Sequence, residues 1–198
     1  MAYHINSRAY LARAKSRLSE DTFEALFYAA FELRCCVESR QEEYATELEF
    51  LRKKIKPWNI GKTAQTLEHV FESNKIAHIT LSSQGSKVFD LYHTPVPRVL
   101  YTKAEKLGAL LHRLSAFKWD TDIFWTTTRS NLEKIYRDAW IACQGTLLTP
   151  PLMRQPLKVE NPSTDLTEWI SRAAKEKLAF KMTVDYLDSP PADWTCDL

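Results

Sequence analysis

Polar residues set into an apolar helix face are the first place to look for chemistry in this chain. Arg34, Glu38 and Gln41 follow one another at spacings of four and three, between Ala30 and Tyr44, so a helix presents them together on or beside its apolar stripe. An arginine recessed there keeps its charge and offers a planar fork suited to a phosphate or a carboxylate. The same Arg-Glu pair also has a purely structural reading, in which it fixes helix register. A second run, Arg129-Ser-Asn-Leu-Glu-Lys-Ile-Tyr136, places another arginine near a helix start. His112 supplies an imidazole directed away from a leucine face, with Glu105 and Gly108 nearby. Tyr136 is the weaker base, because tyrosine titrates near ~10 and histidine near ~6.5.

A different contact with phosphate is written in Arg52, Lys53, Lys54, Lys56 and Lys62, five positive charges in eleven residues with Trp58 among them and no acid. Such a segment gives salt-dependent, sequence-independent affinity for nucleic acid, with the indole available for stacking. The first helix adds Arg8, Arg13, Lys15 and Arg17, whereas Glu42, Glu43, Glu47 and Glu49 offset much of the field. Six tryptophans and eight tyrosines also point to contact surfaces, although most such residues belong in a core.

Other chemistries fail on residue accounting. The four glycines, Gly61, Gly85, Gly108 and Gly145, cannot build a Gly-rich phosphate loop. No Asp or Glu stands two residues before a Lys, and the signatures of serine hydrolases, zinc peptidases and zinc deaminases are missing. Asp120 and Asp122 could hold a divalent ion but equally suit a helix start. Cys35, Cys36, Cys143 and Cys196 have neither zinc-ligand spacing nor the pattern of a disulfide framework. No metal and no cofactor is expected.

The elements that must position these residues are mostly helical. Asn6 caps a helix to about Leu18, and Asp21-Thr-Phe-Glu24 opens a longer one running to Ile55. Its stripe is Phe23, Leu26, Phe27, Ala30, Leu33, Val37, Tyr44, Leu48, Leu51 and Ile55. A short helix is expected over 63–73, a helix with Leu107, Leu110, Leu111 and Leu114 inward after a capping box at Thr102, and another over 127–144 stopped by Gly145. The period changes to two at Ile76–Leu81 and Lys87–His93, which predicts a β-hairpin, and again after Lys177, which predicts a strand to partner it. A short strand at 157–160 and a helix from Thr164 complete the reading. The fold class is therefore mainly α within α+β: an antiparallel helical bundle with a small antiparallel sheet. It is read as one domain over 1–198, with its bundle core at 6–55, 103–115 and 127–145, and with the hairpin at 76–93 and a helix and strand over 164–187 as a subdomain.

At 198 residues and a net charge of +2, the chain demands no polyanionic partner. It shows neither a signal peptide nor an apolar run long enough for a membrane span, so no membrane contact and a cytoplasmic location are expected.

The opening helices, with Leu26-Phe-Tyr-Ala-Ala-Phe-Glu-Leu-Arg34 followed by Glu38 and Tyr44, resemble the HEPN superfamily over about the first sixty residues. Active members of that superfamily are metal-independent endoribonucleases, and inactive members are binding modules. Their catalytic signature, an arginine followed at short spacing by a histidine, is missing, and Tyr136 stands where the histidine after Arg129 could fall. The resemblance implies a non-catalytic interaction or RNA-contacting subunit of a bacterial multicomponent system, of the defence or toxin type. The alternatives that the resemblance implies are a metal-independent endoribonuclease, in which Arg129 and Arg34 hold the scissile phosphate, His112 moves the proton and Tyr136 or Glu38 orients them, and a structural homodimer. RNA and a protein partner are both candidates for what it contacts.

Overall fold

The computed structural model describes residues 3–47, 60–71, 73–83, 86–112, 121, 123–147, 175 and 180–198. Helix α1 (Ser7–Leu18) starts where Asn6 accepts a hydrogen bond from the Ala9 amide at 2.8 Å. Four residues later the chain turns back into α2 (Phe23–Glu47). Its cap is Thr22, whose hydroxyl accepts from the Ala25 amide at 3.3 Å, one residue beyond the expected Asp21. The expected extension of α2 to Ile55 falls outside the described residues.

Helix α3 (Ile60–Val70) is followed by the hairpin strands β1 (Ile76–Ser83) and β2 (Ser86–His93), then α4 (Arg98–Leu111), α5 (Ile123–Ala142) and β3 (Phe180–Leu187). Both α3 and α5 begin a few residues earlier than periodicity predicts. So does α4. The Pro97 carbonyl accepts from the Leu100 and Tyr101 amides, so the helix is already under way when it reaches Thr102. Proline has no amide hydrogen to leave unpaired and its φ is already near the helical value, so the break in the chain becomes the helix start. The capping box expected at Thr102 is thus an interior turn. The strand expected at 157–160 lies outside the described residues, as does the helix expected from Thr164 apart from Lys175.

Contacts fix the helix directions. Ser7 meets Glu43, Arg13 meets Glu32 and Arg17 lies over Tyr28, so α1 and α2 run antiparallel. Phe23 stacks on Trp125 while Arg40 reaches Ala142, so α5 points the same way as α2. Lys103 pairs with Asp138, and Thr94, just before α4, bonds to Ala142, so α4 runs back against α5. Two helices point each way around one core. That core takes Leu26, Ala29, Ala30, Leu33 and Val37 from α2, with Leu11 and Ala14, Leu100 and Leu107, and Leu132, Ile135 and Ala139 from its neighbours. Alanines at the crossings let the helices approach closely, and the leucines and isoleucine fill the layers between.

The sheet has the order β2-β1-β3 and is antiparallel throughout, with Ile79 opposite both Leu91 and Val184. The C-terminal strand therefore does partner the hairpin. Ala77, Ile79 and Leu81 are buried while His78, Thr80 and Ser82 are not, the alternation that one covered face requires. At its base the sheet joins the bundle through His93, which bridges to Thr146 just beyond α5. No helix among the described residues is long and apolar enough to cross a membrane.

Candidate functional site

The most polar part of the interior lies where the third quarter of α2 meets the end of α5. Leu33, Cys36 and Val37 are buried, and the same face continues into Arg40, Gln41 and Tyr44, all buried too. The last carbonyls of α5 lack partners within the helix and need donors from elsewhere. Arg40 supplies them: its Nε donates to the Ala142 carbonyl at 2.9 Å and its Nη2 to the Gly145 carbonyl at 2.7 Å. Arg8 donates to the intervening Cys143 carbonyl at 3.1 Å, and the Thr94 hydroxyl adds a bond to Ala142 at 2.9 Å. Two cations thus sit at the negative end of the α5 dipole.

Arg40 Nη1 also pairs with Glu43 at 3.2 Å, and Glu43 accepts from the amide and hydroxyl of Ser7 at the start of α1. The Tyr44 hydroxyl donates to the Thr94 carbonyl and accepts from Arg40. Burial opposes the Arg40 charge, but Tyr44, Cys143 and Glu43 more than offset it and its pKa is raised. Burial likewise pushes the Tyr44 hydroxyl up to about 12. His93 lies against Tyr44 and Phe71, and among the described residues neither of its ring nitrogens has a hydrogen-bond partner. Burial, with Arg40 adding a like charge, lowers its pKa to about 3, so the ring is neutral.

Beside this knot a cleft is lined by Gln41, Tyr44, Leu67, Phe71, Asn74 and Val96, and its space for solvent is about 10 Å³. That is room for about one water, not for a substrate.

The residues singled out for catalysis are not gathered into one pocket. Arg34 and Glu38 do form a pair, Nε to Oε1 at 3.1 Å. The guanidinium lies over Gly108 of α4, so close that a Cβ there would stand 2.6 Å from Nη1. Arg129 instead turns toward α1 and donates to the Leu18 and Glu20 carbonyls at 2.7 and 3.0 Å, closing the end of that helix. Tyr136 is buried in the core, where burial and the nearby Cys196 and Asp197 push it up to about 12. His112 is exposed and does not ride inside a helix as expected: it ends α4 with an extended backbone, one turn past Gly108.

Of the basic segment, Lys62 is exposed on α3, while Arg52, Lys53, Lys54, Lys56 and Trp58 lie outside the described residues, as do Asp120 and Asp122. Among the described residues no three His, Cys, Asp or Glu side chains are grouped to hold a metal ion.

Arg40, His93 and Thr94 were missed by reading the sequence for sites. Arg40 carried a signal, since it stands three residues after Val37 and four before Tyr44, in the gap of the apolar stripe. Neither His93 nor Thr94 carried one, because what they touch is distant in sequence. No family model, curated protein or solved structure matches the chain.

Proposed function

We propose that the chain is a non-catalytic, HEPN-like helical module that contacts RNA as a subunit of a bacterial multicomponent system of the defence or toxin type. The observation that carries the non-catalytic reading is the use of Arg129. Its guanidinium already serves two backbone carbonyls at the end of α1, so holding a phosphate would cost that helix its closure. The deep burial of Tyr136 supports the same reading, since a hydroxyl held near 12 takes up no proton load at neutral pH. The RNA contact is carried by the sequence of the basic segment at Arg52, Lys53, Lys54, Lys56, Trp58 and Lys62.

The test is a metal-free RNA cleavage and binding assay on the purified chain, with Arg129→Ala and His112→Ala beside it. The module reading expects no cleavage by any of the three. It also expects RNA affinity that falls when Lys53, Lys54 and Lys56 are neutralised, with a flatter salt dependence. Cleavage that survives chelator and is lost in both single variants would instead establish the endoribonuclease, for which the supporting feature is the Arg34 and Glu38 pair on α2, its guanidinium lying over Gly108 one turn before His112. No RNA binding at all, together with unfolding that depends on protein concentration, would favour the structural homodimer.

A further inference from the structure

Two of the four cysteines stand 107 residues apart in the sequence and yet meet in the core. Cys36, in the middle of α2, and Cys143, one residue beyond the end of α5, place their sulfur atoms 3.8 Å apart, both buried. Their surroundings differ. Arg40 bonds to the carbonyls on either side of Cys143, and the contact with Cys36, then Arg40 and Ser7, lower the Cys143 pKa against the opposing effects of burial and Glu43. The same contact, with burial, raises Cys36. The adjacent Cys35 is more accessible but less reactive: burial, with Glu38 and Glu32 nearby, pushes it up to about 11. Two sulfurs in contact, one of them beside a guanidinium that favours its thiolate, are the arrangement in which one sulfur reacts and the other resolves.

We propose that Cys36 and Cys143 are a reversible oxidation site for hydrogen peroxide, converted by it into a disulfide that ties the middle of α2 to the end of α5. The Cys143 thiolate attacks one peroxide oxygen, the O–O bond breaks, the other oxygen leaves as hydroxide, and Cys143 is left as a sulfenic acid. The Cys36 thiol then attacks that sulfur, the S–O bond breaks, and the sulfenic oxygen departs as water with the Cys36 proton. Two thiols lose two electrons and one peroxide gains them. Burial selects the oxidant, because peroxide is little larger than water and passes where a glutathione disulfide does not. The bond would fall beside the contacts of Arg40 with Ala142 and Gly145, so the oxidised chain holds covalently what the reduced chain holds by hydrogen bonds. This inference does not rest on the binding-module reading.

The experiment treats the intact chain with hydrogen peroxide, then denatures it, alkylates the remaining thiols and maps the peptides. The expected result is loss of two of the four alkylatable thiols, a mass lower by about 2 Da for the two departed hydrogens, and full reversal by a dithiol reductant. Cys35 and Cys36 share a peptide, so Cys35→Ser is run in parallel and should retain the link to Cys143. Cys36→Ala should lose the link and accumulate a sulfenic acid on Cys143 that dimedone traps, which keeps the test open if Cys143→Ser fails to fold. The proposal is overturned if Cys36 and Cys143 stay fully alkylatable at peroxide doses that oxidise the other two cysteines. A link that Cys35→Ser abolishes, or one that joins Cys196, overturns it equally.

Discussion

Arg34 and Arg40 stand on the same helix, each with a glutamate partner within one turn, yet the fold treats them differently. The Arg34 side chain is 31% exposed and, among the described residues, bonds to Glu38, over a glycine of the neighbouring helix. The Arg40 side chain is 4% exposed and bonds to two carbonyls, a carboxylate and a phenol. What separates them is the neighbour each meets. Arg40 faces the open end of α5, whose unpaired carbonyls accept its donors, whereas Arg34 lies over Gly108 in the last turn of α4 and finds its acceptor in Glu38 of its own helix. A buried guanidinium is tolerated where acceptors meet its donors, and otherwise the charge keeps to the surface.

Arg40→Met is expected to break that comparison most severely. It removes every donor at once and leaves the Gly145 carbonyl and the Glu43 carboxylate short of partners, a loss of about 3 to 5 kcal/mol in a urea titration. Arg34→Met should cost less than about 1 kcal/mol, as befits a half-exposed pair. Equal losses would mean that burial is not what distinguishes the two sites.

Acid should be the next largest lever. Above pH 6.5 His93 is neutral whether the chain is folded or not. As pH falls below that, the unfolded chain binds a proton that the folded one refuses until about pH 3, so stability declines across this window. The decline should reach about 2 kcal/mol by pH 5. His93→Phe, which keeps a ring between Tyr44 and Phe71, should flatten it, and an unchanged pH slope would remove His93 as the cause.

Two glycines sharpen the contrast at smaller scale. A Cβ at Gly145 would lie 2.5 Å from the Thr94 amide nitrogen and 2.7 Å from the Tyr92 carbonyl oxygen, which are backbone atoms with little room to retreat. Gly145→Ala is therefore expected to cost about 1 to 3 kcal/mol by chemical denaturation. At Gly108 the obstacle is only the far end of Arg34, which can swing aside, while alanine favours the helix. Gly108→Ala should raise stability by about 0.5 kcal/mol, and a loss comparable to that of Gly145→Ala would show Arg34 to be held as firmly as Arg40.

Much of the fold was legible in the chain because it depends on neighbours close in sequence. The inward face of α5, Leu132, Ile135, Tyr136, Ala139 and Ala142, could be read from its spacing and is buried throughout. The hairpin and its third strand follow from alternation of period two, and Asn6 announces α1 as a cap. The candidate site was legible only as far as the Arg34 and Glu38 pair, whose spacing of four is local. The contact of Arg129 with the end of α1 was not legible, because its acceptors stand 111 and 109 residues away.

The sequence by itself determined which faces of the helices turn inward, where the sheet forms, and which Gly-rich loops the chain cannot build. These follow from the helical and strand periods, from caps, and from residue types, none of which needs a distant partner. Only the tertiary structure decided what the arginines and cysteines do. Arg40 finds its carbonyls 102 and 105 residues away, Cys36 meets Cys143 across 107, and Arg129 reaches back 111 to Leu18. A hydrogen-bond donor is satisfied by whichever acceptor the packing brings within about 3 Å, and the packing is set by the apolar faces rather than by the donor itself.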